Sequence, residues 1–394
     1  MRIALCLCFF YYIGAHAQTG DSIADLLRKL KEPTTREETY GLLSSQQLIP
    51  YIAEDSVLFL FRGSAKEVKW MGDFNSWGYN KTFNNIGIQI ANTDLWYLKA
   101  SFPKDARLDY KIVIDNNNWI LDPVNPNHQW SGVGGGSPNS ELRMPDWKAD
   151  AVTLSNENVP QGKIIKDVLI NSKLLSYQLM YSVYLPHGFS KDKIYPVLYV
   201  TDGFEYLHEN MGNIITTLNN LLHQQKIEPI IVVFIDHREP ANRLNNRRMT
   251  ELAMNENYLN FFIDEFLPII EANYPVSEKA EERGILGTSM GGLTAAYFSF
   301  SRPDVFGLAG IQSPAFWFKP AIYTTCDNPE KPPVKVFMTT GTVNDAQEGA
   351  LKMKTILDKN TCTYQYKEVN EGHSWGNWRN LLDDILVYFY PAKG

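Results

Sequence analysis

The segment Gly284-Ile285-Leu286-Gly287-Thr288-Ser289-Met290-Gly291-Gly292 constrains this chain more than any other. Its apolar start reads as a buried strand, and Leu293-Thr294-Ala295-Ala296-Tyr297 continues as a helix. Between them, G-x-S-x-G places a serine on a sharp strand-to-helix turn, a nucleophile elbow. Glycines flank the serine because side chains there would collide with the neighbouring elements. A helix starting just after Ser289 also directs free N–H groups at negative charge developing there. A Gly-Ser loop joining a strand to a helix has the same local pattern, so the reading depends on partners elsewhere.

Such a serine needs an acid and then a histidine further along the chain. Of seven histidines only His373 follows Ser289, in Asn370-Glu371-Gly372-His373-Ser374-Trp375-Gly376-Asn377-Trp378-Arg379. A Gly-flanked loop can present it from a sheet edge. The acid is expected after an intervening strand. Residues 334–340 form such a strand and Gly341-Thr342-Val343-Asn344-Asp345 follows it. Asp345 is therefore the expected acid, orienting the imidazole and stabilising its cationic form. Glu348, one turn further on, is its near competitor.

Composition is that of a globular chain, 44% hydrophobic and 21% charged. Residues 1–17 have a secretory pattern: Arg2, an apolar stretch over 3–13, and Ala15-His16-Ala17 for cleavage. The stretch is too short to span a membrane, and no later one is long enough, so no membrane insertion is expected after its removal. Export, to the periplasm or the medium, follows. Cys6 and Cys8 would leave with the leader; Cys326 and Cys362 could then pair in an oxidising compartment or stay free. A net charge of −7 with no basic run gives no reason to expect nucleic acid as a partner. His and Cys do not cluster at ligand spacings, so no metal or cofactor is called for. Nothing in the sequence fixes the oligomeric state.

The length calls for more than one core. Residues 18–47 read as a helix and linker, with an amphipathic helix over 22–31. Residues 48–146 read as β throughout, short strands separated by Gly72-Asp73-Phe74-Asn75 and Asp115-Asn116-Asn117-Asn118 turns. That texture predicts an all-β, immunoglobulin-like sandwich, and the Gly-rich residues 131–138 read as a loop near its end. From 147 to 394 strands (178–185, 196–200, 229–235, 284–286, 334–340) alternate with helices (213–225, 256–272, 291–300, 347–359), and a last helix-like run covers 381–390. Alternation predicts a mainly parallel α/β sheet covered on both faces, with its chemistry at the carboxyl ends of the strands, and the elbow at Ser289 marks it as the α/β-hydrolase fold.

The second part resembles the esterase family that contains feruloyl and enterochelin (siderophore) esterases. The resemblance rests on Leu198-Tyr199-Val200-Thr201-Asp202-Gly203, Arg248-Met249-Thr250-Glu251-Leu252, residues 287–292 and residues 371–379. It implies Ser289 as nucleophile, His373 as base and Asp345 as acid. It also implies an oxyanion hole from the N–H of Met290 and one near Gly203 or Phe204. The first part resembles a glycogen-binding type of sandwich (carbohydrate-binding family 48), from Trp70-Met71-Gly72-Asp73-Phe74-Asn75-Ser76-Trp77 through Tyr110-Lys111 to Asn118-Trp119 and Asp122-Pro123. In that family the positions matching Trp77, Lys111, Trp119 and Asn139 touch sugar. Equally, such a module can pack on the esterase and shape the mouth of its pocket, which would make Trp77 and Trp119 interface residues.

These readings converge on an exported serine carboxylesterase that acts on esterified oligo- or polysaccharide, foremost feruloyl esters on xylan-type hemicellulose. The alternatives are a siderophore trilactone esterase, an acetyl esterase on polysaccharide, or a glycan-binding protein with a relict hydrolase domain. The complete Ser289, Asp345 and His373 set argues against the last. Trp317, Trp375 and Trp378 are the aromatics expected to hold a flat acyl group or sugar ring. Arg248 is expected either to bind a polar substrate group or to form an ion pair with Glu251, three residues on.

Overall fold

The computed structural model describes residues 21–132, 136–327, 333–360 and 362–393. The leader read in residues 1–17 and part of the Gly-rich loop lie outside the described residues.

Residues 48–146 form two antiparallel sheets. One runs Tyr51–Ala53, Ser56–Arg62, Leu95–Ser101, Ile88–Gln89; the other runs Val68–Gly72, Arg107–Ile114, Ser137–Arg143, His128–Ser131, with Asn118–Ile120 beside Arg107–Ile114. Phe59, Trp70, Phe74, Tyr110 and Ile112 fill the space between them. The opposite face of the first sheet is covered as well. Leu58 and Leu60 pack on Leu26, Leu27 and Leu30 of helix Ile23–Lys31 and on Leu43 of helix Arg36–Ser45. Burial on both faces explains why Val57-Leu58-Phe59-Leu60-Phe61 is a continuous apolar run rather than an alternating one. Each such side chain contributes about 1.5–3 kcal/mol. Ser22 caps the first helix by accepting from the N–H of Asp25 at 3.1 Å. The second helix was not expected from the sequence, because it buries only Thr39 and Leu43 and shows almost no apolar stripe.

The rest is an eight-stranded sheet in the order Lys163–Asn171, Gln178–Leu185, Ile231–Asp236, Val197–Val200, Arg283–Thr288, Leu308–Gln312, Lys335–Gly341, Tyr364–Val369. Gln178–Leu185 runs antiparallel to both its neighbours, Lys163–Asn171 and Ile231–Asp236, and every other pairing is parallel. Alternation within Val197–Val200 sends Val197 and Tyr199 to one core and Leu198 and Val200 to the other. Helix Met290–Ser301 is buried on nearly every side, which suits its Gly, Ala and Phe content. Helices Ile214–His223 and Leu382–Phe389 cover the opposite face. The helix expected over 256–272 is interrupted: α-helix Glu256–Phe261, a π-turn Phe262–Phe266, then α-helix Leu267–Asn273. Pro268 has no N–H to give an i−4 carbonyl, and just before it the Leu267 N–H donates to the Phe262 carbonyl, five residues back. No disulfide joins Cys326 and Cys362, so the pairing left open by the sequence is not made. Among the described residues no helix is long and apolar enough to cross a membrane.

Candidate active site

Strand Arg283–Thr288 ends at Ser289, whose backbone has φ 58° and ψ −115°. A non-glycine residue keeps such a conformation only when its surroundings impose it. Here the Ser289 N–H donates to the Gln312 carbonyl at 2.9 Å, and its own carbonyl accepts from Leu293 at 3.1 Å and Ala315 at 2.9 Å. The flanking glycines permit the approach. A Cβ at Gly287 would lie 2.3 Å from the Gly291 carbonyl carbon, and one at Gly291 would lie 2.3 Å from Thr201 Oγ1. Met290 opens the helix, so its N–H is among those without an intrahelical acceptor. Gly203 and Phe204 open the short helix Gly203–Leu207 that follows strand Val197–Val200.

His373 Nδ1 lies 2.6 Å from Asp345 Oδ1, which leaves Nε2 as the nitrogen free to act elsewhere. The other carboxylate oxygen, Oδ2, accepts from Ser313 Oγ at 2.6 Å and from the Gly341 N–H at 2.6 Å. Burial alone would push the Asp345 carboxyl up, but the His373 charge and these hydrogen bonds outweigh it and hold the group below its ordinary value. Glu348 is exposed on the first turn of helix Gln347–Lys359 and takes no part in this contact. Ser313, which sequence reading missed, also accepts from Trp378 Nε1 at 2.9 Å. It sits just past strand Leu308–Gln312 with φ 41°, and only its place after a strand end could have marked it.

Ser289 and His373 line one cavity of about 670 Å³. The hydrolase half also supplies Glu205, Arg248, Trp375 and Trp378 to it. The sandwich supplies Asp73, Trp77, Asp109, Lys111, Trp119 and Asn139. All four positions expected to touch sugar therefore face the same space as Ser289. Trp119 is half-exposed, and Trp77 donates from Nε1 to Asp73 Oδ1 at 3.1 Å. Ser76 and Trp77 both have positive φ, 49° and 53°, a costly turn that holds the indole at the cavity. Asn139 donates to Asp109 Oδ2 at 3.0 Å.

The place of Trp317 and the partner expected for Arg248 need correction. Trp317 does not line the cavity: it is 75% exposed, edge-on to Phe318, because the alternate position, Phe316, takes the core site in that turn. Trp375 and Trp378 do line it but are buried, with their indole N–H groups committed to Glu205 and Ser313, so they present wall rather than an open stacking face. Arg248 pairs not with Glu251 but with Asp202, through Nε at 2.6 Å and Nη2 at 2.8 Å, and it also reaches the Thr288 carbonyl at 3.2 Å. Glu251 instead holds His237 Nδ1 at 2.5 Å and Tyr177 OH at 2.9 Å. Glu205, also missed, accepts from Trp375 Nε1 at 2.6 Å. Burial and neighbouring Asp202 push its carboxyl up to about 7.

A serine elbow at the end of a parallel strand, beside a His–Asp pair from later loops, defines an α/β-hydrolase of the esterase type. Residues 172–389, more than half of the chain, match the family model described as "Putative esterase", and the chain belongs to that family. It is 28% identical over 201 residues to the iron(III) enterobactin esterase of Escherichia coli K12, covering 50% of this chain and 47% of that protein. It is 30% identical over 142 residues to the endo-1,4-β-xylanase/feruloyl esterase of Xylanibacter ruminicola, covering 34% of this chain and 19% of that protein. The chain thus spans about half or less of the length of these two relatives. The enterobactin esterase structure from Shigella flexneri has the same fold, with a TM-score of 0.69 at 20% identity over 84% of this chain and 92% of that one. The protein is a carboxylic-ester hydrolase.

Proposed function

We propose that the protein hydrolyses ester decorations of polysaccharides, foremost feruloyl groups on xylan-type hemicellulose, by acyl transfer through Ser289. The observation that carries this reading is the shared cavity: Ser289 and His373 on one side, Trp77, Trp119, Lys111 and Asn139 on the other. His373 Nε2 takes the Ser289 hydroxyl proton as Oγ bonds to the ester carbonyl carbon. The N–H of Met290 and one from Gly203 or Phe204 stabilise the oxyanion. Collapse breaks the carbon–alkoxide bond, and His373 returns the proton to the leaving alcohol. Water, deprotonated by His373, then releases the carboxylic acid and restores Ser289. Asp345 holds the imidazole in the required tautomer. The leader pattern in residues 1–17 supports action outside the cytoplasm.

The second reading is a siderophore trilactone esterase, favoured by the likeness to enterobactin esterases in both sequence and overall fold. Charge speaks against it. The ionisable groups on the cavity wall are Asp73, Asp109, Glu205, Lys111, Arg248 and His373, and Arg248 is matched by Asp202. Arg243 and Arg247 pair with Asp167 and Glu239. That wall suits a neutral glycan ester better than a strongly anionic iron complex.

The test is release of ferulate from methyl ferulate and feruloylated arabinoxylan oligosaccharides, against cleavage of a catecholate trilactone, by wild type and Ser289→Ala. Ferulate release lost in the variant is expected. Trilactone cleavage without ferulate release would move the enzyme to iron acquisition.

A further inference from the structure

We infer that Arg107, a sandwich residue that does not face the cavity, is a positioning residue for His373, and that the sandwich is thereby a working part of the esterase site. This rests on the assignment of Ser289, His373 and Asp345 above. The Arg107 side chain is fully buried. Its Nε donates to Glu141 and its Nη2 to Asp109, both of the sandwich. Its Nη1 crosses to the hydrolase half, donating to Ser374 Oγ at 2.9 Å and reaching Glu371 Oε2 at 3.5 Å. Those two residues bracket Gly372 and His373. The Arg107 backbone N–H also donates to the Asn370 carbonyl at 3.3 Å, and Trp147 Nε1 donates to Glu371 Oε1 at 3.0 Å.

The histidine loop is shaped to admit this contact. A Cβ at Gly376 would sit 1.9 Å from the guanidinium carbon, and one at Gly372 would sit 2.2 Å from the Asp73 carboxyl carbon. The acid loop is held from the same side. Asn344, next to Asp345 and with φ 50°, donates from Nδ2 to the Asp73 carbonyl at 2.8 Å and accepts from Asn80 Nδ2 at 3.0 Å. Both loops that carry the His–Asp pair are thus fastened to the sandwich by hydrogen bonds.

A buried ion cluster is weak evidence of stability, since desolvation offsets much of its attraction. Its yield here is orientation. Glu371, pushed up to about 7 by burial against the pull of Arg107, would face Asp109 and Glu141 once Arg107 is gone, with Arg143 still paired to Glu141 and no ion pair left on Glu371 or Asp109. The loop would shift, and a misplacement of about 1 Å at a catalytic group costs on the order of a hundredfold in rate.

The experiment uses the full chain and 4-nitrophenyl acetate. Compared are wild type, Ser289→Ala, Arg107→Gln, Arg107→Lys, Asn344→Gly and Leu58→Ala, each with a thermal melt. Leu58 lies in the core between the first sheet and the N-terminal helices, so its truncation loosens the sandwich away from both loops. The expected result for Arg107→Gln is a fall in kcat of about tenfold or more with KM within about twofold. Arg107→Lys should recover part of it. Asn344→Gly, which keeps the left-handed backbone, should lose kcat severalfold. Leu58→Ala should lower Tm with kcat unchanged. A folded Arg107→Gln with wild-type kcat, or losses that merely follow Tm as in Leu58→Ala, would overturn the inference. If Arg107→Gln does not fold, wild-type kcat in Asn344→Gly overturns it instead. Activity surviving in Ser289→Ala would sink the nucleophile assignment, a separate failure.

Discussion

Trp378 stands edge-on to His373, with ring centroids 4.8 Å apart and planes at 89°, while its indole N–H is bonded to Ser313. Ser313 in turn donates to Asp345, and Asp345 receives His373 Nδ1, so the four side chains close a ring of contacts around the imidazole. Ser313→Ala opens that ring without removing a reacting group. It should lower kcat by about tenfold and leave KM nearly unchanged in steady-state assays.

Asp345→Asn should be far more damaging than Glu348→Gln. An amide at 345 favours the wrong imidazole tautomer, and on the pattern of serine hydrolases kcat should fall by roughly 10⁴. Glu348 makes no contact with His373, and its replacement should leave kcat within about twofold. Equal losses from both would show that the acid has been misassigned.

Arg248 should matter first for stability. Its guanidinium forks onto Asp202, whose side chain is buried and has no other cation beside it in that contact. Arg248→Ala leaves that carboxylate uncompensated and should cost about 3 kcal/mol in denaturant unfolding. Arg248→Lys should recover only part of this, because an ammonium cannot reproduce the two parallel bonds.

Two buried carboxyls should each contribute less to stability as pH rises from about 4.5 to 7. Glu205 and Glu371 are both pushed up to about 7 by burial, from an ordinary value of 4.5. A raised carboxyl binds its proton more tightly in the folded chain. Its contribution is therefore present below the ordinary value and lost as pH climbs through the folded one. Glu205→Gln keeps an acceptor for the Trp375 indole, should flatten this slope, and should raise stability at pH 8 by on the order of 1 kcal/mol. A slope unchanged by the substitution would mean that Glu205 ionises normally.

Trp77→Ala should discriminate between substrates. If the sandwich wall holds the sugar portion, kcat/KM for a feruloylated oligosaccharide should drop by about tenfold. Hydrolysis of 4-nitrophenyl acetate, which does not reach that wall, should change little.

Much of this architecture is legible in the sequence. The elbow could be read because Gly287 and Gly291 encode a close backbone approach in one short stretch, and His373 because no other histidine follows it. The parallel sheet showed itself through alternating apolar runs and amphipathic helices. What was illegible depends on long-range placement. Ser313, Glu205 and Arg107 lie in unremarkable local contexts: Ser313 meets Asp345 32 residues on, Glu205 meets Trp375 170 residues on, and the Arg107 side chain reaches the histidine loop 264 and 267 residues on. Trp317 misled for a related reason: the turn after Gln312 decides which of three consecutive aromatics points inward, and side-chain type alone does not. The π-turn at Phe262–Phe266 was hidden because an apolar helical period continues across it.

Gly372 and Gly376 carry a consequence for how this enzyme can be recombined. A side chain at Gly376 would strike Arg107 and one at Gly372 would strike Asp73, so the histidine loop fits the strand bearing Arg107 and the turn at Asp73 as key and ward. Chimeras that graft the sandwich of one esterase onto the hydrolase half of another should keep working only when that strand and that loop share a parent. The unit of inheritance in such a shuffle is the seam, and neither half travels alone.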